Sequence, residues 1–328
     1  MKVLVTGANG FVGARVAAHL AALGHEVRAM LRPGADEERL PATHIQRVEG
    51  DITVPASLPA CVAGVDAIVH LAGVKQAARA STYQRINADG TAYLAQAAYV
   101  AGVERFILVS SLAAQGPSQP GQPHRTAGSE APINDYGRSK LAAEQHLADL
   151  QLTGATVLRP CMIYGPGDPQ LLDWARMVRA RVVPVVPDLE LSFLHVDDFA
   201  VLVGLVLKHP APPWGPFFVS DGVPLTMATI IDHLERQVAE GTVMHLPVPS
   251  GRLARLAPIV EGFARATGLG TLASRRLSEL AASGWTCTHD GVSDTFGFAP
   301  THRLVDGLPA TLAGYRAAGL LGGSTVNV

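Results

Sequence analysis

The chain has 328 residues, 48% of them hydrophobic and 16% charged, with a formal net charge of −2. Such a composition fits a packed globular protein, one large α/β domain or two modest ones, and excludes a disordered chain. With no strongly basic stretch, a nucleic-acid partner is not expected; a small-molecule substrate is.

Met1-Lys2 runs directly into the strand-like Val3-Leu4-Val5, which leaves no room for a signal peptide. Short β-branched runs predict strands over Lys2–Thr6, Glu26–Leu31, Ile45–Glu49, Ala67–His70, Arg105–Ser110 and Thr156–Leu158. Helices are predicted between them over Phe11–Leu23, Ser57–Val62, Tyr83–Ala101 and Tyr136–Leu152. Gly24, Gly102 and Gly154 each suit a helix stop. The alternation predicts a Rossmann-type α/β fold, a doubly wound parallel sheet with helices on both faces. Gln115–Ile133, rich in Pro, Gly, Gln and Ser, reads as a surface loop near the site. After Pro160 the pattern changes to short strands and isolated helices, so residues 1–160 are expected to form the dinucleotide-binding domain, with 196–215 packing back onto it. Residues 161–195 and 216–328 then form a smaller substrate-binding lobe.

The longest apolar run, Phe199–Leu207, is far short of the ~20 residues of a membrane span. Cys61, Cys161 and Cys287 form no CxxC pair and read as buried free thiols of a cytoplasmic protein. The 12 histidines lack HxH or HExxH spacing, so no metal is expected.

Thr6-Gly7-Ala8-Asn9-Gly10-Phe11-Val12-Gly13 sits between the first strand and the first helix. Gly7 suits a tight turn, Gly10 close approach of a pyrophosphate, and Gly13 packing of helix on sheet; the N–H groups at the helix start receive phosphates. At the end of the second strand, where an acid would bind the ribose 2′-OH of NAD, the chain has Leu31 followed by Arg32. A guanidinium there suits a 2′-phosphate, so NADP is the expected cofactor, with NAD as the alternative.

Tyr136 and Lys140 share a helix face, and a nearby ammonium lowers the pKa of a phenol that is otherwise about 10. Ser111 follows the fifth strand at the carboxyl edge, where open α/β sheets bind ligands. Together the three suit a proton exchange at a substrate oxygen coupled to hydride transfer.

These motifs, with His70-Leu71-Ala72-Gly73, Asn87 to Thr91, Val109-Ser110-Ser111, Arg159-Pro160, Tyr164-Gly165-Pro166-Gly167 and His195-Val196-Asp197-Asp198, run in one order. The chain resembles the extended short-chain dehydrogenase/reductase family, which includes NAD-dependent epimerases and dehydratases, over almost its whole length. The resemblance implies that Asn9, Phe11, Val12 and Pro160 line the cofactor site, that Asp51 and Ile52 flank the adenine, and that Leu71, Ala72 and Gly73 line the groove. It also implies that Lys75 reaches the cofactor and that Lys140 bonds the nicotinamide ribose. Plant-type dihydroflavonol and cinnamoyl reductases carry an arginine at the place of Arg32 and use NADP. Asn87 resembles the family asparagine near the active site, and a kink-stabilising polar residue is the other reading. His195 reads as structural, beside Asp197 and Asp198. Relatives pair through the helices corresponding to Tyr83–Ala101 and Tyr136–Leu152, which implies a homodimer.

On the substrate side the chain departs from UDP-galactose 4-epimerase and its relatives. Met162 stands where those have an asparagine, and Leu191 where they have an arginine for the substrate phosphates. Two apolar side chains suit a pyrophosphate poorly, although Arg252, Arg255, Arg275 or Arg276 would be substitutes. Leu253, Leu256, Val260 and Phe263 recur at helical spacing and read as an amphipathic helix of the lobe or a lid over an apolar substrate. This half is closer in pattern to the hydroxysteroid dehydrogenase and dihydroflavonol reductase-like branch. The expected activity is therefore an NAD(P)-dependent dehydrogenase or reductase of a fairly apolar secondary alcohol or ketone. The alternatives are a sugar-nucleotide epimerase or dehydratase with a tightly bound, recycling cofactor, and a cofactor-sensing regulatory protein.

Overall fold

A computed structural model describes residues 1–41, 44–152, 154–248, 278–282 and 284–321. The arginines at 252, 255, 275 and 276 and the apolar repeat from 253 to 263 lie outside the described residues. The first half of the chain forms β1 (Lys2–Thr6), α1 (Phe11–Ala22), β2 (Glu26–Leu31), β3 (Ile45–Glu49), α2 (Leu58–Val62), β4 (Ala67–His70), α3 (Ala80–Tyr83), α4 (Gly90–Val100), β5 (Arg105–Val109), α5 (Asp135–Asp149) and β6 (Ala155–Pro160). The second half forms β7 (Met162–Tyr164), α6 (Pro169–Arg179), β8 (Val182–Val185), β9 (Glu190–Leu191), β10 (Phe193–His195), α7 (Val196–Lys208), β11 (Pro216–Val219), β12 (Leu225–Thr226), α8 (Met227–Val238), β13 (Met244–Pro247), β14 (Gly284–Trp285), α9 (Asp290–Phe296) and α10 (Leu304–Ala317).

Seven parallel strands make one sheet in the order β11-β6-β5-β4-β1-β2-β3. Side chains alternate across it, as the period of a strand requires. Val3 and Val5 face a core shared with α1 and α7, including Val16, Leu20, Phe199 and Val203. Leu4 faces the opposite core, built with Leu58, Leu94, Ala98, Ala143 and Leu147 of α2, α4 and α5. Both faces are covered, so the strands carry near-continuous apolar runs. This is the doubly wound Rossmann architecture expected from the sequence, with the strand order reversing between β1 and β4.

A third core joins Leu171, Trp174 and Val178 of α6, Ile230 and Leu234 of α8, and Leu308 and Leu312 of α10. It forms the smaller lobe. The division drawn from the sequence needs one correction: Pro216–Val219 lies not in that lobe but on the edge of the main sheet, paired with Val157–Pro160 of β6. A strand that opens on proline is tolerated there because one side of an edge strand carries no ladder. Phe296 and Phe298 likewise pack into the core of α1 and α7.

Three further details differ from the sequence reading. The helix expected over Tyr83–Ala101 is broken into α3, a π-helical turn over Gln84–Asp89, and α4. The strand expected over Thr156–Leu158 extends over Ala155–Pro160 because β5 and β11 both pair with it. The stretch read as a surface loop buries Gln115 and Ser118, which are 4% and 2% exposed.

Candidate active site

The turn from β1 into α1 is built by exclusion of side chains. Gly7 has φ +66°, and a Cβ there would lie 2.8 Å from the Ala72 nitrogen. At Gly13 a Cβ would lie 2.1 Å from the Gly7 oxygen, so only glycine lets α1 start this close to the turn. No side chain caps α1 and no acid stands in its first turn. The first N–H groups of a helix have no partner within it, and Phe11 and Val12 present them at a positive dipole end. An anion such as a pyrophosphate fits this cradle.

Asn9 Nδ2 donates to the Asp36 carbonyl at 2.9 Å, which fastens the segment after β2 to the glycine turn. Leu31 is buried and Arg32, immediately beyond it, is exposed. Asp51 Oδ1 accepts from Thr53 N (2.7 Å) and Thr53 Oγ1 (2.8 Å), and Ile52 is buried against Gly90. Sequence reasoning missed Arg39: the space a Cβ would take on Gly167 is met by Phe11 Cδ2 at 3.7 Å and Arg39 Nη1 at 3.8 Å. A cation, Arg39, thus stands near Gly167 with Phe11, the first residue of α1.

Across the switch point, His70 organises the groove. Thr91 Oγ1 donates to the Asn87 carbonyl at 2.6 Å, so it accepts from His70 Nε2 at 2.9 Å. His70 Nδ1 then accepts from Thr6 Oγ1 at 2.6 Å, and Thr6 Oγ1 accepts from Ala72 N at 3.1 Å. Each hydroxyl proton is used once, which fixes the neutral tautomer protonated on Nε2. Burial, and secondarily the Lys140 charge, push the His70 pKa down to about 3. Leu71, Ala72 and Gly73 leave this anchor toward the surface. Asn87 holds their far end: Oδ1 accepts from Val74 N at 2.8 Å and Nδ2 donates to Val74 O at 3.0 Å. Asn87 therefore serves as the brace of a kink, and Gly73 is required beside it, since a Cβ there would lie 2.9 Å from Asn87 Oδ1. Lys75 Nζ bonds Gln170 Oε1 of α6 at 2.8 Å.

The catalytic candidates meet at the carboxyl end of β5. Asn134 caps α5, its Oδ1 accepting from Gly137 N at 2.8 Å. A Cβ on Gly137 would lie 2.3 Å from the Ala113 oxygen, so this glycine, which the sequence reading did not single out, lets the turn carrying Tyr136 close onto the turn following Ser111. Ser111 Oγ accepts from Ala113 N at 3.2 Å and keeps its proton to donate. The Tyr136 ring packs edge-on to Tyr83, centroids 6.2 Å apart. Lys140, 7% exposed, donates from Nζ to the Val109 carbonyl at 2.6 Å. Burial pushes its pKa down to about 8, with Glu144 acting in the opposite sense.

Pro160 ends β6 and is buried in the sheet. Met162 is half-buried against the lobe core, and Leu191, 5% exposed, is part of that core. His195 caps α7, Nδ1 accepting from Asp197 N at 3.3 Å, and stacks on His302 at 4.4 Å; burial lowers its pKa. Among the described residues no helix is long and apolar enough to cross a membrane.

A parallel sheet in this strand order, with a side-chain-free turn against an uncapped helix at its switch point, defines a dinucleotide-binding Rossmann enzyme. The chain belongs to the NAD dependent epimerase/dehydratase family, whose model matches residues 3–216. It is 30% identical to the ceramide reductase of Caulobacter vibrioides, over 97% of this chain and 96% of that one. It is 27% identical to the UDP-glucose 4-epimerase of Vibrio cholerae, over 76% and 79% respectively. The crystal structure of gox2253 superposes with a TM-score of 0.82 at 25% identity, covering 98% of this chain and 99% of that one. The chain is accordingly a nicotinamide-dependent enzyme of the extended short-chain dehydrogenase/reductase type.

Proposed function

We propose that the protein is an NADP-linked oxidoreductase of a ketone or secondary alcohol with an apolar body. The observation that carries this reading is the Lys140 ammonium, buried at the end of β5 and one helical turn from Tyr136 on α5. When bound, a reduced nicotinamide supplies a hydride to a carbonyl carbon. Ser111 holds the carbonyl oxygen, Tyr136 passes it a proton, and Lys140 keeps that phenol acidic and bonds the nicotinamide ribose. Arg32 and Arg39 supply the cations for the dinucleotide phosphates. An apolar substrate is favoured by the likeness to a ceramide reductase over 97% of the chain. The same proposal takes residues 1–160 with 196–219 as the dinucleotide domain, a cytoplasmic setting suited to the free thiols of Cys61, Cys161 and Cys287, and a homodimer paired through α4 and α5, where Tyr99 and Val100 are exposed.

The test has two parts. Protein purified without added cofactor is denatured and the released dinucleotide identified by mass spectrometry, with NADPH and NADH exchange measured on the native sample. Reversible NADPH binding, followed by NADPH oxidation with long-chain 3-ketones, agrees with the proposal. Retained, non-exchanging NAD together with turnover of a UDP-sugar overturns it in favour of the epimerase reading. Tyr136→Phe is expected to bind NADPH normally and to lose at least about 100-fold in turnover; an unaffected rate removes Tyr136 from its role.

A further inference from the structure

Beneath the candidate catalytic group lies a polar cluster that the reading above does not use. Arg159 of β6 is 1% exposed, a large cation at the bottom of the site. Its Nε donates to Glu144 Oε1 at 3.0 Å and its Nη2 to Glu144 Oε2 at 2.6 Å, a two-point grip. Nη1 reaches Gln115 Oε1 at 2.7 Å, Nη2 also reaches Glu130 Oε1 at 3.1 Å, and the guanidinium lies 5.9 Å from the centre of the Phe218 ring. Glu144, 6% exposed, accepts a further short bond from Ser110 Oγ. One guanidinium thereby joins α5, the strand end that continues into Ser111, and the loop over residues 115–130.

Glu144 stands one helical turn beyond Lys140, and the two grip adjacent residues of the same strand end: Lys140 the Val109 carbonyl, Glu144 the Ser110 hydroxyl. We propose that Glu144, clamped by Arg159, is the positioning residue and buried counter-charge of Lys140, holding its ammonium charged and aimed at the site. This inference rests on the Tyr136–Lys140 reading above.

The physical case is a charge count. Glu144, on the same helix, acts to raise the Lys140 pKa, and the Lys140 charge reaches His70 on β4; Arg159 of β6 pairs with Glu144, and Glu130 of the loop pairs with Arg159. His70 is neutral, because a pKa of about 3 leaves it without a proton at physiological pH. Two cations, Lys140 and Arg159, are thus set against two carboxylates, Glu144 and Glu130. Glu144 is the buried one, while the Glu130 side chain is 26% exposed. Remove the Glu144 charge and Lys140 loses the anion that raises its pKa, while Arg159 keeps only the partly exposed Glu130. Arginine does not give up its proton in a protein. Lys140 does, and a neutral amine cannot hold the phenol acidic.

The lysine side chains can be watched without any substrate. The chain has four, Lys2, Lys75, Lys140 and Lys208, so Nζ-labelled [15N]lysine gives a short spectrum in which Lys140→Arg identifies the resonance of interest. Titrated without cofactor, Glu144→Gln is expected to lower the Lys140 midpoint by about one pH unit or more, a tenfold or larger loss in proton affinity. Lys2, Lys75 and Lys208 are expected to stay where they are. Glu144→Asp, which keeps the charge, shifts it less, and Glu144→Gln combined with Arg159→Gln recovers at least half of the loss. An unchanged midpoint in a folded Glu144→Gln protein overturns the proposal and leaves Glu144 a purely structural brace. Should that variant not fold, Glu144→Asp and the double variant carry the test, and equal shifts in both overturn it. If instead Tyr136→Phe retains full turnover, the functional reading fails while the titration result stands by itself.

Discussion

Asn87 grips Val74 with both ends of its amide, accepting from the nitrogen at 2.8 Å and donating to the carbonyl at 3.0 Å. The same Nδ2 group donates to Ser139 Oγ at 3.0 Å, and Ser139 donates to the Tyr136 carbonyl at 2.8 Å. A single amide thereby couples the groove after β4 to the helix that carries the tyrosine. Asn87→Ala removes three hydrogen bonds, one of them buried and two partly buried, and leaves the Val74 groups without this partner. The expected cost is about 2–3 kcal/mol of stability, read in urea unfolding, with at least a tenfold weaker NADPH affinity by fluorescence titration. Unchanged affinity in a destabilised variant would show that Asn87 braces the fold without shaping the cofactor groove.

The histidine chain sets an acid limit. His70 has a folded pKa of about 3 against an ordinary 6.5. Between those values the unfolded chain binds the extra proton, so this contribution is fully present above pH 6.5 and is lost as pH falls toward 3. At 1.36 kcal/mol per unit, moving to pH 5 removes about 2 kcal/mol. Urea unfolding at pH 7.5 and pH 5.0 tests this: the native chain should lose about 2 kcal/mol more between the two than His70→Gln does. Equal losses would mean that the buried imidazole is protonated after all.

Arg32 follows the buried Leu31 and is exposed at the end of β2. Arg32→Asp replaces a phosphate partner by a ribose acceptor. NADPH affinity should drop at least about tenfold relative to NADH, the scale of one charge-assisted bond. A ratio that does not move would assign the discrimination to Arg39 or to neither.

Much of the sheet was legible because its signal is local. Val3-Leu4-Val5 is strand-like in any context, and a glycine turn before Phe11 forecasts its helix. The failures arose where distant residues decide. Nothing around Pro216 marks an edge strand of the main sheet; that status comes from pairing with β6, some sixty residues earlier. The π-helical turn at Asn87 follows from the pull of Val74 and Ser139, which no periodicity reveals. At the site, Tyr136 and Lys140 stood out by their spacing only together with the glycine turn before Phe11 and the serines after β5, and Gly137 was not singled out. Which carboxylate Arg159 would seize could not be read in that way, because Glu130 and Glu144 lie on different elements. Arg39 was equally hidden, brought to the glycine turn by the bend that Asn9 fastens at Asp36.

Two of the passages between the main sheet and the lobe are very short. β6 ends at Pro160 and β7 begins at Met162, while β10 ends at His195 and α7 begins at Val196. Rigid strands cross with one intervening residue or none, and His195 closes the second crossing as a helix cap. Such joints cannot work as hinges, since a hinge needs a few loop residues to absorb large backbone rotations. These two joints therefore tie the first strands of the lobe directly to the sheet, and any movement of the lobe falls to the longer crossings at residues 220–224 and 297–303.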